Sequence, residues 1–114
     1  MGVLKYIPDR GDIVGFDLGP TRGHEQKGYR PSLVITPKKF NVIHGNMVIC
    51  PITRTFRNHP LEVKIDTIKV KGVVLPHQIR TIDWQARSVK YIGDAAHNTV
   101  QDVCYELELL IKGE

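Results

Sequence analysis

Cysteine is scarce in this 114-residue chain, and none of its hydrophobic runs is long. Its two cysteines, Cys50 and Cys104, stand in apolar stretches and form no CxxC pair, which argues against a disulfide framework or a cysteine-based zinc site. No apolar run approaches the roughly 20 residues that a membrane-spanning helix needs. Charged residues also follow closely on the first methionine, so a secretory signal is not expected. The sequence therefore predicts reduced, buried thiols and a cytoplasmic protein without a membrane segment.

The composition is that of an ordinary globular domain, with 41% hydrophobic and 25% charged residues. A chain of this length has room for one compact domain, so residues 1–114 are predicted to form a single domain. No internal repeat, low-complexity stretch or linker divides the chain.

The charge of the chain is unevenly distributed. Residues 94–114 hold one lysine and five acidic residues, net −4, which leaves 15 basic and 7 acidic residues in 1–93, net +8. A basic body with an acidic tail suggests a polyanionic partner for the body. A solvated, lysine-rich surface would give the same numbers.

The first 90 or so residues show short strand patterns separated by Gly, Pro and Asn turn signals. Strands are predicted over residues 12–18, 32–36, 47–53, 61–65, 73–75, 78–82 and 87–92. Pro51 lies inside one of these runs and predicts an edge strand or a bulge there. From Val100 to Ile111 the apolar residues take a helical period, with Asn98 or Thr99 as the expected N-cap and Gly113 as the end. The expected fold is mainly β with a C-terminal helix, arranged as a small β-barrel.

One connection is much longer and more polar than a usual hairpin loop. Residues 19–31 (GPTRGHEQKGYRP) carry three glycines, four cationic or imidazole groups, one carboxylate and one tyrosine. Long polar loops inside compact domains are usually functional or disordered. Arg30 precedes Pro31, and a residue before proline is held extended, so Arg30 is predicted to present its side chain in a reproducible direction.

Four motifs resemble the MazF/PemK-type toxins of bacterial toxin–antitoxin modules: RGD (10–12), GPTRGHEQKGYRP (19–31), PIT (51–53) and HQIRTID (77–83). The resemblance runs in order from about Tyr6 to the C-terminal helix. It implies an SH3-like barrel, shared with CcdB-type toxins, and a homodimer. It further implies a metal-independent endoribonuclease that needs no cofactor, cleaves single-stranded RNA at short sequences, inhibits translation and growth, and pairs with an acidic antitoxin. The catalytic positions of the family match Glu25, Arg30 and Thr53.

The chemistry of these three residue types suits RNA cleavage without a metal. Such cleavage drives the 2′-OH onto the adjacent phosphorus, which needs a proton acceptor, a donor for the departing 5′-oxygen and positive charge on the phosphorane. Glu25 is the carboxylate in the loop and the natural base. Arg30 carries a planar fork of donors that matches phosphate oxygens, and Thr53 offers a hydroxyl to a non-bridging oxygen. A surface ion pair and a strand-forming threonine are the alternative explanations.

His24 stands beside Glu25 and offers a second candidate base, because imidazole is a common acid–base group near neutral pH. We favour a phosphate or base contact for it, since adjacent residues point apart in extended backbone. Tyr29 suggests a stacking surface. The predicted RNA contacts are His24, Lys27, Tyr29, Arg54, Gln78 and Arg80. Arg57 and His59, in the loop after Thr53, could also follow phosphates, although a solvated loop would explain them equally well.

Other side chains point to no further chemistry. His44, His77 and His97 show no metal-ligand spacing, so no metal site is predicted. Trp84 is expected in the core or at a dimer interface. Two other functions stay open at this point. One is a non-enzymatic toxin of the CcdB type that binds a topoisomerase, and the other is a nucleic-acid-binding barrel without catalysis.

Overall fold

The computed structural model describes residues 5–17 and 29–113, and for Asp17 and Tyr29 the backbone alone. The strands are β1 (Asp12–Asp17), β2 (Tyr29–Val34), β3 (Met47–Thr53), β4 (Val63–Asp66), β5 (Lys71–Val74), β6 (Arg80–Ile82) and β7 (Lys90–Asp94). The helices are α1 (Lys38–His44) and α2 (His97–Lys112), and Pro76–Gln78 form a 3₁₀ turn. The expected class, mainly β with a C-terminal helix, is confirmed.

The strands form one curled, antiparallel sheet in the order β4-β5-β3-β2-β1-β7, and β6 also pairs with β3. Strand β3 is the reason for the curl. One of its edges pairs with β2, while the other pairs first with β6 over Met47–Ile49 and then with β5 over Ile52–Thr53. A single strand that serves two partners along one edge bends the sheet into a half-barrel.

Of the two features predicted from Pro51, an edge strand or a bulge, the edge strand is wrong because β3 is a central strand. The β2–β3 register also runs without a shift from Ser32–Pro51 to Val34–Ile49. Pro51 stands where the second edge of β3 passes from β6 to β5. Its carbonyl oxygen accepts a hydrogen bond from Leu75 N at 2.9 Å on that edge. The N–H and C=O of a strand residue point to the same side, so the missing N–H of Pro51 would point to this same edge. It would lie at the point where β3 changes its partner from β6 to β5.

Alternate residues of the central strands pack into two hydrophobic clusters, one on each face of the sheet. On one face Ile13, Leu33 and Cys50 pack against Val103 and Leu107 of α2. On the other face the buried residues surround Trp84; they include Val14, Phe16, Val34, Ile49 and Ile82. Successive residues of these strands point to opposite faces, so both faces of the central sheet are covered by apolar side chains. Trp84 is a core residue, 6% exposed.

Helix α2 begins earlier than its sequence pattern predicts. The expected caps Asn98 and Thr99 are wrong, since the N-cap is Ala96, which makes no side-chain capping bond. Ala95 N donates to Gly11 O at 2.8 Å, and this bond brings the chain into the helix directly after β7. The C-terminal end at Gly113 is confirmed by its left-handed φ of 78°.

Lys38 and Lys39 are the first two residues of helix α1. The helix depends on Asn41, whose side chain is completely buried. Its Nδ2 donates to Pro8 O (2.8 Å) and Thr36 O (3.1 Å), and its Oδ1 accepts from the Thr36 hydroxyl at 2.6 Å. The indole Nε1 of Trp84 donates to its backbone carbonyl at 2.9 Å. Asn41 therefore joins α1 to the cluster around Trp84.

Both cysteines are free thiols. Cys50 is buried in the cluster that packs against α2, and Cys104 is half-buried beside that cluster. Within the described residues, neither helix is long and apolar enough to cross a bilayer. The longer one, α2, has 16 residues and carries acidic side chains along its length.

Candidate functional site

Arg30 lies in β2, where it pairs with Phe16 of β1. Its extended backbone agrees with the constraint imposed by the following proline. The residue is half-exposed, so β2 delivers the guanidinium to the surface from a strand that is hydrogen-bonded on both sides.

Thr53 is the last residue of β3 and pairs with Val73 of β5. The β2–β3 pairing ends with Ser32 and Pro51, so Arg30 and Thr53 each lie two residues beyond the last pair, on neighbouring strands. Both residues border the same surface clefts. The ends of these two strands therefore bring two of the three predicted catalytic residues to the same part of the surface.

The hydroxyl of Thr53 is oriented by the chain that follows it. Thr55 N donates to Thr53 Oγ1 at 3.1 Å. A hydroxyl that accepts one hydrogen bond still has its own proton to donate. This geometry leaves the Thr53 hydroxyl able to donate to an anionic oxygen.

Gly72 packs against the backbone that carries Thr53. A Cβ at this position would lie 2.2 Å from the carbonyl oxygen of Thr53 and 3.4 Å from the Cα of Arg54. The first distance is far below any contact that carbon and oxygen tolerate. Only glycine allows β5 to approach so closely, and this approach sets the direction in which the chain leaves β3.

Two polar clefts meet at Arg30 and Thr53, which border both of them. The first cleft, about 360 Å³, also contains Arg54, Lys69 and Lys71. The second cleft, about 370 Å³, also contains Arg57, His59, Glu62, His77 and Gln78. Cationic side chains dominate the described walls, and Lys71 is only loosely paired with exposed Asp66 at 3.9 Å. The surface on either side of Arg30 and Thr53 suits a polyanion.

The other predicted site residues divide into three groups. Arg54 and Gln78 border the clefts, although Gln78 lies on the 3₁₀ turn and the strand predicted for it is wrong. Arg80 is exposed on β6 and borders neither cleft. His24, Glu25 and Lys27 lie outside the described residues, as does the side chain of Tyr29.

Sequence reasoning missed Lys69, Lys71 and His77 at these clefts. Lys69 lies in the β4–β5 turn and Lys71 is the first residue of β5; neither belongs to a motif, and their charge was the only available signal. His77 was considered only as a metal ligand. Among the described residues, no group of three or more His, Cys, Asp or Glu side chains could hold a metal ion.

Comparison with known proteins decides the family. Residues 9–111 match the model of the PemK-like, MazF-like toxins of type II toxin–antitoxin systems. The chain belongs to this family. The endoribonuclease toxin MazF of Escherichia coli K12 is 34% identical over 109 residues, which cover 96% of this chain and 98% of that protein. The resemblance seen in the four sequence motifs is thereby confirmed, and it extends over nearly the whole toxin domain.

Solved MazF structures have the same fold. The crystal structure of MazF from Deinococcus radiodurans superposes with a TM-score of 0.83 at 35% identity, covering 95% of this chain and 99% of that one. A MazE–MazF crystal structure from the same organism gives a TM-score of 0.83 at 31% identity, covering 94% of this chain and 97% of that one. The half-barrel with a C-terminal helix is therefore a MazF-type fold, and Arg30 and Thr53 both lie inside the matched toxin domain.

Proposed function

We propose that this chain is the toxin of a type II toxin–antitoxin module and an endoribonuclease that cuts single-stranded RNA at short sequences. One observation carries the proposal: Arg30 and Thr53, on neighbouring strands, both border two cationic clefts and stand where these clefts meet. A strand of RNA can lie along both clefts with one phosphate at the junction. The named relatives are endoribonucleases, which agrees with this arrangement.

The reaction follows from the groups at the junction. Glu25 removes the proton from a ribose 2′-OH, and the 2′-oxygen attacks the adjacent phosphorus. The Arg30 guanidinium and the Thr53 hydroxyl donate to the phosphoryl oxygens as negative charge grows on them. The bond to the 5′-oxygen then breaks, and that oxygen takes up a proton. The products are a 2′,3′-cyclic phosphate on the upstream fragment and a free 5′-OH on the downstream one. His24 is the alternative base.

A catalytic function accounts for the site better than binding alone. A CcdB-type toxin that only binds a topoisomerase has no need of an arginine and a threonine held together at the junction of two cationic clefts. A plain nucleic-acid-binding barrel needs cationic clefts, but not an oriented hydroxyl at their junction. The Thr55 N–H bond to Thr53 Oγ1 therefore favours chemistry at the phosphate.

The proposed partners of the toxin are RNA, an acidic antitoxin and a second copy of the chain. The MazE–MazF structures of Deinococcus radiodurans contain an antitoxin with its toxin. The cationic clefts suit an acidic segment of such a protein, whose binding would weaken as salt rises. For the homodimer, the second half of α2 exposes apolar side chains, with Tyr105 58% and Ile111 80% accessible. Such a surface is typical of protein contacts. Acting on messenger RNA, the free toxin would inhibit translation and growth.

The test is to incubate the purified protein with a long unstructured RNA in excess EDTA and to map the new ends. We expect cuts at a short sequence, with cyclic phosphate and 5′-OH termini. A matched RNA with a 2′-deoxy sugar at the cleavage position should bind with the same salt dependence and stay intact, because it keeps the phosphates and lacks the nucleophile. Cutting of the deoxy substrate, or 5′-phosphate ends, would mean that water attacks and would refute the mechanism.

A further inference from the structure

The second cleft contains a pair of stacked imidazoles. The rings of His59 and His77 have centroids 5.4 Å apart and planes inclined by 22°. The two residues come from different parts of the chain, the β3–β4 loop and the 3₁₀ turn, and both are exposed. Two exposed rings stacked across a cleft present a flat aromatic surface to whatever enters it.

Hydrogen bonds from backbone N–H groups to side chains of the same loop hold the loop that carries His59. Leu61 N donates to His59 Nδ1 at 3.2 Å, which leaves the ring proton on Nε2. The carboxylate of Glu62 accepts from Arg57 N at 3.2 Å and from His59 N at 3.3 Å. The imidazole is therefore oriented before any ligand arrives, and the carboxylate of the cleft is engaged by backbone donors.

His77 is held equally well from the other side. Its 3₁₀ turn packs against β3 and α2, and the preceding Leu75 donates to Pro51 O at 2.9 Å. Within the turn, Ile79 N donates to Pro76 O at 3.2 Å, and Pro76 is buried. The stack thus joins two anchored segments, so its position relative to Arg30 and Thr53 is set by the sheet.

We propose that the His59–His77 pair binds one RNA base, that of the nucleotide beside the phosphate held at Arg30 and Thr53. Gln78 borders the same cleft and reads an edge of that base. Recognition of single-stranded RNA uses aromatic faces for stacking and amide groups for the base edges. The cleft volume, about 370 Å³, lies in the range of sites that enclose small ligands. This inference rests on the proposed function, whose scissile phosphate it takes as its reference point.

The arrangement of charges favours a nucleotide over an acidic peptide in this cleft. Arg30 and Arg57 can take the phosphates at its rim, while the imidazole faces offer stacking that a carboxylate side chain does not use. A nucleotide combines an anion with a flat ring and satisfies both features at once.

The test is an abasic scan measured by binding. The RNA carries a 2′-deoxy sugar at the scissile position, and single abasic nucleotides replace each neighbouring base in turn. For the wild-type protein we expect a loss of about tenfold in affinity at one position next to the scissile phosphate. His77→Ala should lose about the same on the intact RNA and show no further loss at that position. His77→Phe, which keeps a flat ring, should restore the discrimination. His44→Ala is the matched control, because it removes an exposed histidine outside both clefts, whose ring also contacts an aromatic ring (Phe40, centroids 4.4 Å apart).

The result separates this inference from the proposed function, since binding is read without cleavage. If the affinity lost at one abasic position disappears in His77→Ala, the base site is supported even when the wild-type protein fails to cut the all-ribose RNA. If the protein cuts that RNA but His77→Ala changes the affinity loss at no abasic position, the base site is overturned while the endoribonuclease function stands. Weakened binding of an acidic peptide by His77→Ala, with RNA binding unchanged, would overturn it in favour of a protein ligand.

Discussion

Arg30 and Thr53 border the same two clefts, although each lies two residues beyond Ser32 and Pro51, the last pair of β2 and β3. Arg30 pairs with Phe16 of β1, and Thr53 pairs with Val73 of β5. The two polar groups thus stand on strands that are held by their neighbours in the sheet. This rigidity is what a site needs if it is to stabilise charge only in the transition state.

Arg30→Ala should abolish RNA cleavage and leave the fold intact. The side chain is half-exposed, so its removal opens no core cavity, but it deletes a donor to the phosphorane. Loss of one such donor typically lowers the rate by about 10² to 10³. The measurement is the cleavage rate of a defined RNA, with circular dichroism as the check on folding. Arg30→Lys, which keeps the charge but loses the planar fork, should recover only part of the rate. A folded Arg30→Ala protein that cuts within about threefold of the parent, about 0.65 kcal/mol, would remove Arg30 from the site.

The pH profile of cleavage should identify the base. If Glu25 accepts the 2′-OH proton, the rate rises with pH in the range where carboxylates titrate. Glu25→Gln then removes this rising limb of the pH–rate profile. If His24 is the base, the limb lies nearer pH 6.5 and disappears in His24→Ala instead. Single-turnover rates from pH 4 to 8 measure both. Retention of the limb in both variants would assign the proton transfer to another group.

Gly72→Ala should impair catalysis, although Gly72 has no side chain to contribute. The new methyl group would lie 2.2 Å from the Thr53 carbonyl oxygen, so the end of β3 must move. Displacement of a positioning group by about 1 Å can cost on the order of 10² in rate. Gly93→Ala is the control, since a Cβ there meets nothing within 4 Å. Equal rates for the two variants would show that the approach of β5 to Thr53 does not matter for activity.

Alkaline pH should destabilise the protein through Cys50. Burial, with a smaller contribution from nearby Cys104, raises the pKa of the Cys50 thiol from 9.0 to about 12. The unfolded chain releases this proton above pH 9 while the folded one keeps it, so the free energy of unfolding falls between pH 9 and 12. One such proton gives a slope of about 1.4 kcal/mol per pH unit.

The measurement is urea unfolding at several pH values from 8 to 11. Cys50→Ala should be less stable at pH 8 because it leaves a cavity, yet its stability should fall less steeply above pH 9. Cys104→Ala keeps the buried thiol and should retain the steeper fall. A residual slope is expected in both variants, because burial and the bond to Asp12 also raise the pKa of Tyr6. Identical slopes in the wild-type protein and Cys50→Ala would contradict the assignment.

The sequence by itself determined the architecture wherever a local pattern reflects burial. The nearly continuous apolar runs of β1, β2 and β3 arise because both faces of the central sheet are covered, and Val100, Val103 and Leu107 take a helical period because α2 packs on one of those faces. The extended backbone of Arg30 was predicted from its neighbour, since proline constrains the preceding residue, whereas its catalytic role was implied by the family motif. Thr53 became a candidate only through the family motif, as a threonine at a strand end is ordinary by itself.

Tertiary structure alone decided what depends on residues distant in sequence. Pro51 marks an edge by local reasoning, but it is central because β3 changes partner beside it. Ala96 is the N-cap of α2 without a capping side chain, because the neighbouring Ala95 N donates to the carbonyl oxygen of Gly11, a residue near the other end of the sequence. Gly72 beneath Thr53 and His77 beside His59 have no local signature either. Periodicity records which face of an element is buried, whereas these contacts depend on how the sheet curls and which strands it brings together.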